Sequence, residues 1–318
     1  HADAFAFSQR ASKLFREIEQ FGKPVVAALS GFALGGGYEL ALACHHRIVA
    51  DDPRAVVGLP EVGVGLMPGA GGTQRLPRLV GMKPALEMLL SGKSFKPTEA
   101  LAAGLVDAVV PPRELLEAAR SWLAEHREAV QPWDLKGYRP EGSAGLMDPD
   151  LASFFALATA RLHAQYGDNY PAPLAILTCV FEGIQLPLDK ALLVESRQFA
   201  RLLVDPVGRN IIRTLFINKP AAERGARRPA GIPSSNIVKL GVLGAGMMGA
   251  GVAYVAALAN IEVILLDRTA ELADDGKNYA RKLVAASVTK GRMSQENADA
   301  LLARIRPTAD YSELAGCE

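Results

Sequence analysis

Gly31-Phe-Ala-Leu-Gly-Gly-Gly-Tyr-Glu-Leu-Ala-Leu-Ala-Cys44 is uncharged except for one carboxylate, Glu39. A triple glycine lets a backbone bend sharply and come close to a ligand. The apolar run behind it reads as a buried helix that starts at the glycines. Its first N–H groups then point at whatever occupies the turn. Glu39 sits just inside that helix, where a carboxylate is costly unless paired, hydrogen-bonded or protonated. An anion-binding turn beside an acid of raised pKa is the composition of an enzyme site.

A second stretch repeats the theme. Gly58-Leu-Pro-Glu-Val-Gly-Val-Gly-Leu-Met-Pro-Gly-Ala-Gly-Gly-Thr-Gln-Arg-Leu76 reads as a glycine-rich apolar loop holding Glu61. A lone glutamate near a helix start ordinarily faces solvent or complements the helix dipole. Two carboxylates in two such loops can divide acid and base duties when their surroundings differ.

With Lys23-Pro-Val-Val-Ala-Ala28, the Gly-Gly-Gly-Tyr-Glu-Leu turn, Leu59-Pro-Glu-Val62, Pro68-Gly-Ala-Gly-Gly-Thr-Gln-Arg-Leu76 and Ala103-Gly-Leu-Val-Asp107, the first part of the chain resembles the crotonase (enoyl-CoA hydratase/isomerase) superfamily. The resemblance implies a coenzyme A thioester substrate. It makes the Gly36 N–H one of two donors to the thioester oxygen. It assigns Glu39 to activating the water, Glu61 to exchanging the proton at the carbon next to the thioester, and the Gly69 backbone to holding the water. Hydration needs a base on the water and an acid at carbon 2. For isomerisation one acid can suffice.

A second chemistry begins at Asn236. Ile237-Val-Lys-Leu-Gly-Val-Leu243 reads as a buried parallel strand, Gly244-Ala-Gly-Met-Met-Gly249 as a phosphate-binding turn, Ala250–Ala259 as a helix, and Ile261–Leu266 as the next strand, ending at Asp267. Strand, G-x-G-x-x-G, helix, strand, acid is the order a dinucleotide fold requires. Gly244 permits the tight turn, Gly246 lets the pyrophosphate approach, and Gly249 lets helix and strand pack closely. Met247 and Met248 complete the cofactor-contacting turn, and Asp267 is placed for the adenine ribose hydroxyls. A carboxylate there prefers NAD to NADP, whose 2′-phosphate would meet like charge. Residues 241–261 are uncharged and long enough to span a bilayer. The motif glycines and the lack of basic or aromatic flanks argue instead for a βαβ unit and no membrane span.

Val242–Ala253, Asp267-Arg268 and Lys290-Gly-Arg292 are similar to the start of 3-hydroxyacyl-CoA dehydrogenase. Tyr170–Ile176 and Ala191–Leu203 are similar to the connecting region of the multifunctional β-oxidation enzymes, the fatty acid oxidation complex α-subunit family. The implied logic is consecutive chemistry: the hydratase product is the dehydrogenase substrate. The fold expected is α/β: a partial crotonase (spiral ββα) domain over 1–127, a helical connector and linker over 128–235, and over 236–318 the start of a Rossmann doubly wound parallel sheet. The chain starts at His1 and stops 83 residues into the second domain, which reads as a fragment cut at both ends, less stable and less active than its parent. The family resemblance further implies a thiolase partner and a homo-oligomer. It implies the cytoplasm for a bacterial protein, and mitochondrion or peroxisome for a eukaryotic one.

Two small departures from the family pattern are His45-His46 after Cys44, where Asp is usual, and Val57, where Phe is usual. Adjacent histidines lack the i,i+4 spacing of helical metal ligands and read as surface or strand edge, and no metal is expected. A net charge of +1 without a basic stripe argues against nucleic acid. The cluster Arg224–Pro229 reads as part of a solvated linker over 225–235. Cys44, Cys179 and Cys317 have no zinc spacing and fit a reducing compartment. Rival functions are enoyl-CoA isomerisation, thioester hydrolysis, and non-catalytic CoA and NAD binding.

Overall fold

The structure is a computed structural model that describes residues 1–128, 130–144, 147–229, 231–232 and 235–317. The chain forms two compact units, His1–Arg227 and Arg228–Glu318. The linker reading over 225–235 includes residues 230 and 233–234, which lie outside the described residues, as do 129 and 145–146 of the loop read over 128–150.

In the first unit, α1 (Ala2–Glu19) leads to β1 (Val26–Leu29), β2 (Phe32–Leu34) and α2 (Gly36–Ala43). Then come β3 (His46–Ala50), β4 (Val56–Gly58), a short 3₁₀ turn (Glu61–Val64), α3 (Gly72–Val80), α4 (Met82–Ser91), β5 (Ser94–Phe95), α5 (Pro97–Ala102), β6 (Ala108–Val110) and α6 (Leu115–Glu125). One sheet has the order β1-β3-β6, all parallel, with Arg47–Ala50 of the central strand buried. The other has the order β2-β4-β5, with β2 and β4 parallel and β5 antiparallel. The parallel β2–β4 register sets Leu34 opposite Gly58, so the two glycine-rich segments leave neighbouring strands side by side.

Residues 72–76, read in sequence as loop, begin helix α3. Pro77 lies inside this helix and removes one intrahelical N–H donor. The helix persists because its side chains are anchored. Arg78 donates to the Gly183 and Leu186 carbonyls, each at 2.9 Å. Arg75 is held by Glu19 (2.7 and 3.0 Å), both side chains fully buried.

The remaining helices are α7 (Pro149–Tyr166), α8 (Pro171–Ile184), α9 (Leu188–Val204), α10 (Pro206–Ile212) and α11 (Lys219–Glu223), with a π-helical turn over Arg213–Asn218. They cluster with the first unit rather than standing apart as a connector. α8 contributes Ala172, Ile176, Leu177, Cys179 and Val180 to the same core as Tyr38, Leu42 and Leu76.

In the second unit, β7 (Lys239–Leu243), α12 (Met247–Leu258), β8 (Glu262–Leu266), α13 (Ala270–Thr289), α14 (Gln295–Ala303) and β9 (Ile305–Thr308) form a parallel sheet of order β7-β8-β9 with its helices. Central β8 is buried from Val263 to Leu266, as expected of a strand covered on both faces. Its core is built from Ala253, Ala256 and Ala257 of α12 with Ala280 and Val284 of α13, and such small side chains let elements approach closely. Among the described residues no helix is long and apolar enough to cross a membrane.

Candidate active site

The triple glycine makes the bend the sequence called for. Gly35 has φ +57°, a left-handed value that favours glycine, and its N–H donates to Gly58 O. Tyr38 and Glu39 N–H both turn back to Gly35 O. Gly36 and Gly37 are the first two helical residues and are exposed, and as first-turn residues their N–H groups lack an intrahelical acceptor at the end that favours negative charge.

Glu39, one turn further on, is 3% exposed. Its Oε1 accepts from the N–H of Ala70 (2.7 Å) and of Gly72 (2.8 Å). Burial pushes this carboxyl above the ordinary range, while those N–H groups, that of Gly69 and the charge of Arg75 pull the other way. The anion, once formed, is therefore met by fixed dipoles.

Glu61 opens the 3₁₀ turn on the neighbouring segment. A methyl group built on Gly35 would lie 3.0 Å from Glu61 Oε1, so this acid abuts the glycine turn. Its Oε2 is buried and has no hydrogen-bond partner among the described residues. Burial first, then the charge of Glu39, push its carboxyl up to about 8. The two acids differ in their partners: Glu39 Oε1 accepts from two backbone amides, whereas Glu61 Oε2 has no partner among the described residues. Gly69 lies at the same place, with its carbonyl accepting from Ser8 Oγ (2.5 Å) and its Cα against the Phe199 ring.

Sequence reasoning missed several residues around this pair. Glu195 of α9 is fully buried and accepts from Thr73 N (2.8 Å), Gly71 N and Thr73 Oγ1. Burial and the charge of Glu39 raise its carboxyl too. Its signal was present: Leu188, Ala191, Leu192, Glu195 and Leu202 form the buried stripe of α9, and a charge inside an apolar stripe is informative. Glu19 and Arg75 were also missed. Arg16 joins them, bonding Glu19 (2.9 Å), Asp134 (2.7 and 2.9 Å) and Asp189 (2.9 Å).

His45 and His46 carry no site chemistry. His45 Nδ1 accepts from Val25 N (3.1 Å), and His46 stacks on Trp122 at 4.6 Å between ring centroids. Among the described residues no three His, Cys, Asp or Glu side chains gather as a metal site.

In the second unit the Gly244–Gly249 turn joins β7 to α12. Gly244 has φ +92° and donates its N–H to Leu266 O (2.7 Å). Asp267 ends β8 and accepts from Ala245 N (2.7 Å) and Arg268 N (2.7 Å), bonds that hold its carboxyl below the usual range. Gly246 opens onto free space, whereas a side chain on Gly249 would strike the Gly244 carbonyl. Met247 and Met248 are exposed beside the turn. Gly276 of α13 was missed; a methyl there would lie 2.6 Å from Ala245, so it lets α13 close against the turn. The open glycine face and the acid at the next strand's end fit a dinucleotide.

Two acids meet at a glycine-opened helix in the first unit, and the second unit carries a strand–glycine turn–helix–strand–Asp motif; the first arrangement is similar to a crotonase-class segment and the second to an NAD-binding domain. Residues 1–132 match the enoyl-CoA hydratase/isomerase family, and residues 239–318 match the family described as 3-hydroxyacyl-CoA dehydrogenase, NAD binding domain. One family model thus matches each part of the chain. It is 38% identical over 314 residues to the fatty acid oxidation complex subunit alpha of Shewanella baltica (strain OS155) and, to the same extent, to that of Shewanella putrefaciens (strain CN-32). In both cases the match covers 97% of this chain and 43% of the relative, so the chain spans less than half the length of these proteins. A crystal structure of enoyl-CoA hydratase from Bacillus anthracis is 27% identical, with 71% of this chain and 67% of that chain covered and a TM-score of 0.36.

Proposed function

We propose that the first unit hydrates the 2,3 double bond of a trans-2-enoyl-CoA and that the second binds NAD for oxidation of the resulting 3-hydroxyacyl-CoA, within fatty acid β-oxidation. The observation that carries the reading is the pair of carboxylates with different surroundings, buried Glu39 on backbone amides and half-buried Glu61 with one buried, unpartnered oxygen.

In this reading the thioester oxygen lies at the first-turn N–H of Gly36, one donor to the oxygen that gains charge as the enolate develops. Glu39 takes a proton from water as its oxygen attacks carbon 3. The C2=C3 π electrons move toward the thioester, and Glu61 delivers its proton to carbon 2. One proton has left water and one has reached carbon, so the pair is reset by passing a proton from Glu39 to Glu61. Gly69 holds the water beside Glu39. An unpartnered carboxyl oxygen at the acid position favours hydration over hydrolysis, because the latter has no carbon to protonate.

The acid must be protonated, so activity is present below Glu61's titration and lost as pH rises through about 8. The same raised value favours the folded state most at low pH, a contribution lost as pH climbs from the ordinary carboxyl range through about 8. The expected pH–rate profile has an alkaline limb near there; a limb that persists unmoved in Glu61→Gln would contradict the assignment.

NAD, when bound, supplies the hydride acceptor. Gly244 and Gly246 admit its pyrophosphate to the backbone, and Asp267 keeps lone pairs free for the ribose hydroxyls while it holds Ala245 N–H. A Cβ at Gly246 meets no atom within 4 Å, so Gly246→Val extends from the turn into open space. It is expected to weaken NAD binding by at least about tenfold with the melting temperature unchanged. Titration by quenching of protein fluorescence checks this; unaltered affinity would place the nucleotide elsewhere. Association with a thiolase, self-association and a cytoplasmic location belong to the same proposal, supported by the bacterial fatty acid oxidation complex relatives.

A further inference from the structure

The segment Ala70–Thr73 gives up four consecutive backbone N–H groups in strict alternation. Ala70 N (2.7 Å) and Gly72 N (2.8 Å) donate to Glu39 Oε1. Gly71 N donates to Glu195 Oε1, and Thr73 N (2.8 Å) to Glu195 Oε2, which also accepts from Thr73 Oγ1. The segment therefore runs between two buried carboxylates, each taking every second amide. Neighbouring peptide planes meet at a shared Cα, so pinning the amides on both sides toward Glu195 restricts the orientation of the amide between them toward Glu39.

Glu195 is ill explained as a packing residue. It is fully buried, and among the described residues no Lys or Arg pairs with it. A buried carboxylate without a cation is expensive. Three donors meet its two oxygens, and glutamine, with one acceptor end and one donor end, would set its NH₂ against either Gly71 N–H or the Thr73 donors.

We propose that Glu195 is a positioning residue for Glu39, brought from α9 to lock the Ala70–Thr73 amides in the orientation that holds the Glu39 carboxylate. The proposal rests on the reading of Glu39 as the base. Glu195 touches neither substrate nor water; it acts through the backbone.

The test is amide hydrogen exchange by NMR on the whole chain, wild type against Glu195→Gln, with Leu192→Ala as a control. Leu192 is a buried neighbour on the same helix whose side chain packs beside Gly71 without hydrogen-bonding the segment, so its loss removes packing and no amide acceptor. In Glu195→Gln the Ala70 and Gly72 amides, which never touch Glu195, are expected to exchange at least about tenfold faster. In Leu192→Ala at a comparable loss of melting temperature they are expected to stay protected. Acceleration confined to Gly71 and Thr73 overturns the proposal, and so does equal acceleration of Ala70 and Gly72 in the control. Should Glu195→Gln fail to fold, Thr73→Val removes one Glu195 bond, together with the Thr73 Oγ1 contacts to Gln74 Nε2 and Cys179 Sγ, with little change in shape and is read the same way. In steady-state hydration, Glu195→Gln is expected to lower kcat by about 10²-fold with KM nearly unchanged. If instead Glu39→Gln proves fully active, the catalytic reading falls while the exchange result still judges the link between the two acids.

Discussion

Glu39→Gln is expected to lower hydration of a short trans-2-enoyl-CoA by about 10²–10⁴-fold, the range for loss of a general acid or base. The substitution suits the site. Glu39 Oε1 takes both N–H bonds, so a glutamine carbonyl can keep them while its NH₂ occupies the other position. Shape and both amide contacts survive, and only the basicity goes. The measurement is loss of enoyl absorbance, with denaturant midpoints showing that both proteins are equally folded. Turnover that survives at wild-type level would remove Glu39 from the chemistry. Loss of hydration with retained double-bond migration would point to the isomerase reading, in which Glu61 works alone.

Arg75→Met is the second large effect, on stability. Arg75 and Glu19 are each fully buried and joined by two bonds. Deleting the arginine leaves Glu19 bonded to Arg16 alone. Breaking a buried pair at one end costs about 3–5 kcal/mol, because the remaining charge is stranded in a poorly polarisable interior. Urea unfolding is expected to show a lower midpoint at an unchanged slope, and a loss below about 1 kcal/mol would mean the pair is better hydrated than its burial indicates. Adding Glu19→Gln is expected to recover part of the loss, since it removes the stranded charge. The substitution also takes away the cation nearest Glu39, so the two halves of the network are linked through one side chain.

The parts of the molecule that were legible in sequence are those whose reasons are local. Gly35 is glycine because its backbone turns left-handed, and Gly249 because a side chain would meet the turn before it. The first is visible as a glycine run ahead of an apolar helix, the second as a motif between two strands. Glu39 and Glu61 stand out as single charges in uncharged surroundings, and Asp267 as the acid that follows the second strand of the glycine motif. Residues 72–76 were misread as loop because their glycines speak against a helix, while the bonds that sustain helix α3 come from Glu19, Glu195, Gly183 and Leu186, far away in the chain. Strands of two or three residues such as β2 and β5 were missed for a related reason: their pairing, not their composition, makes them strands. Glu195 lies 122 positions from Thr73, and no local pattern says which loop an internal charge on a distant helix will meet.

The interleaved amides of Ala70–Thr73 bear on how such genes can be recombined. A chimera that crosses over near residue 127 inherits Glu39 from one ancestor and its opposite number on α9 from another. The junction looks harmless in an alignment of motifs, yet it divides a single hydrogen-bonded unit between two histories. A crossover after residue 227 keeps that unit in one lineage. Shuffling libraries built on the two designs should therefore differ sharply in their yield of functional members, even when every parent supplies an intact pair of acids.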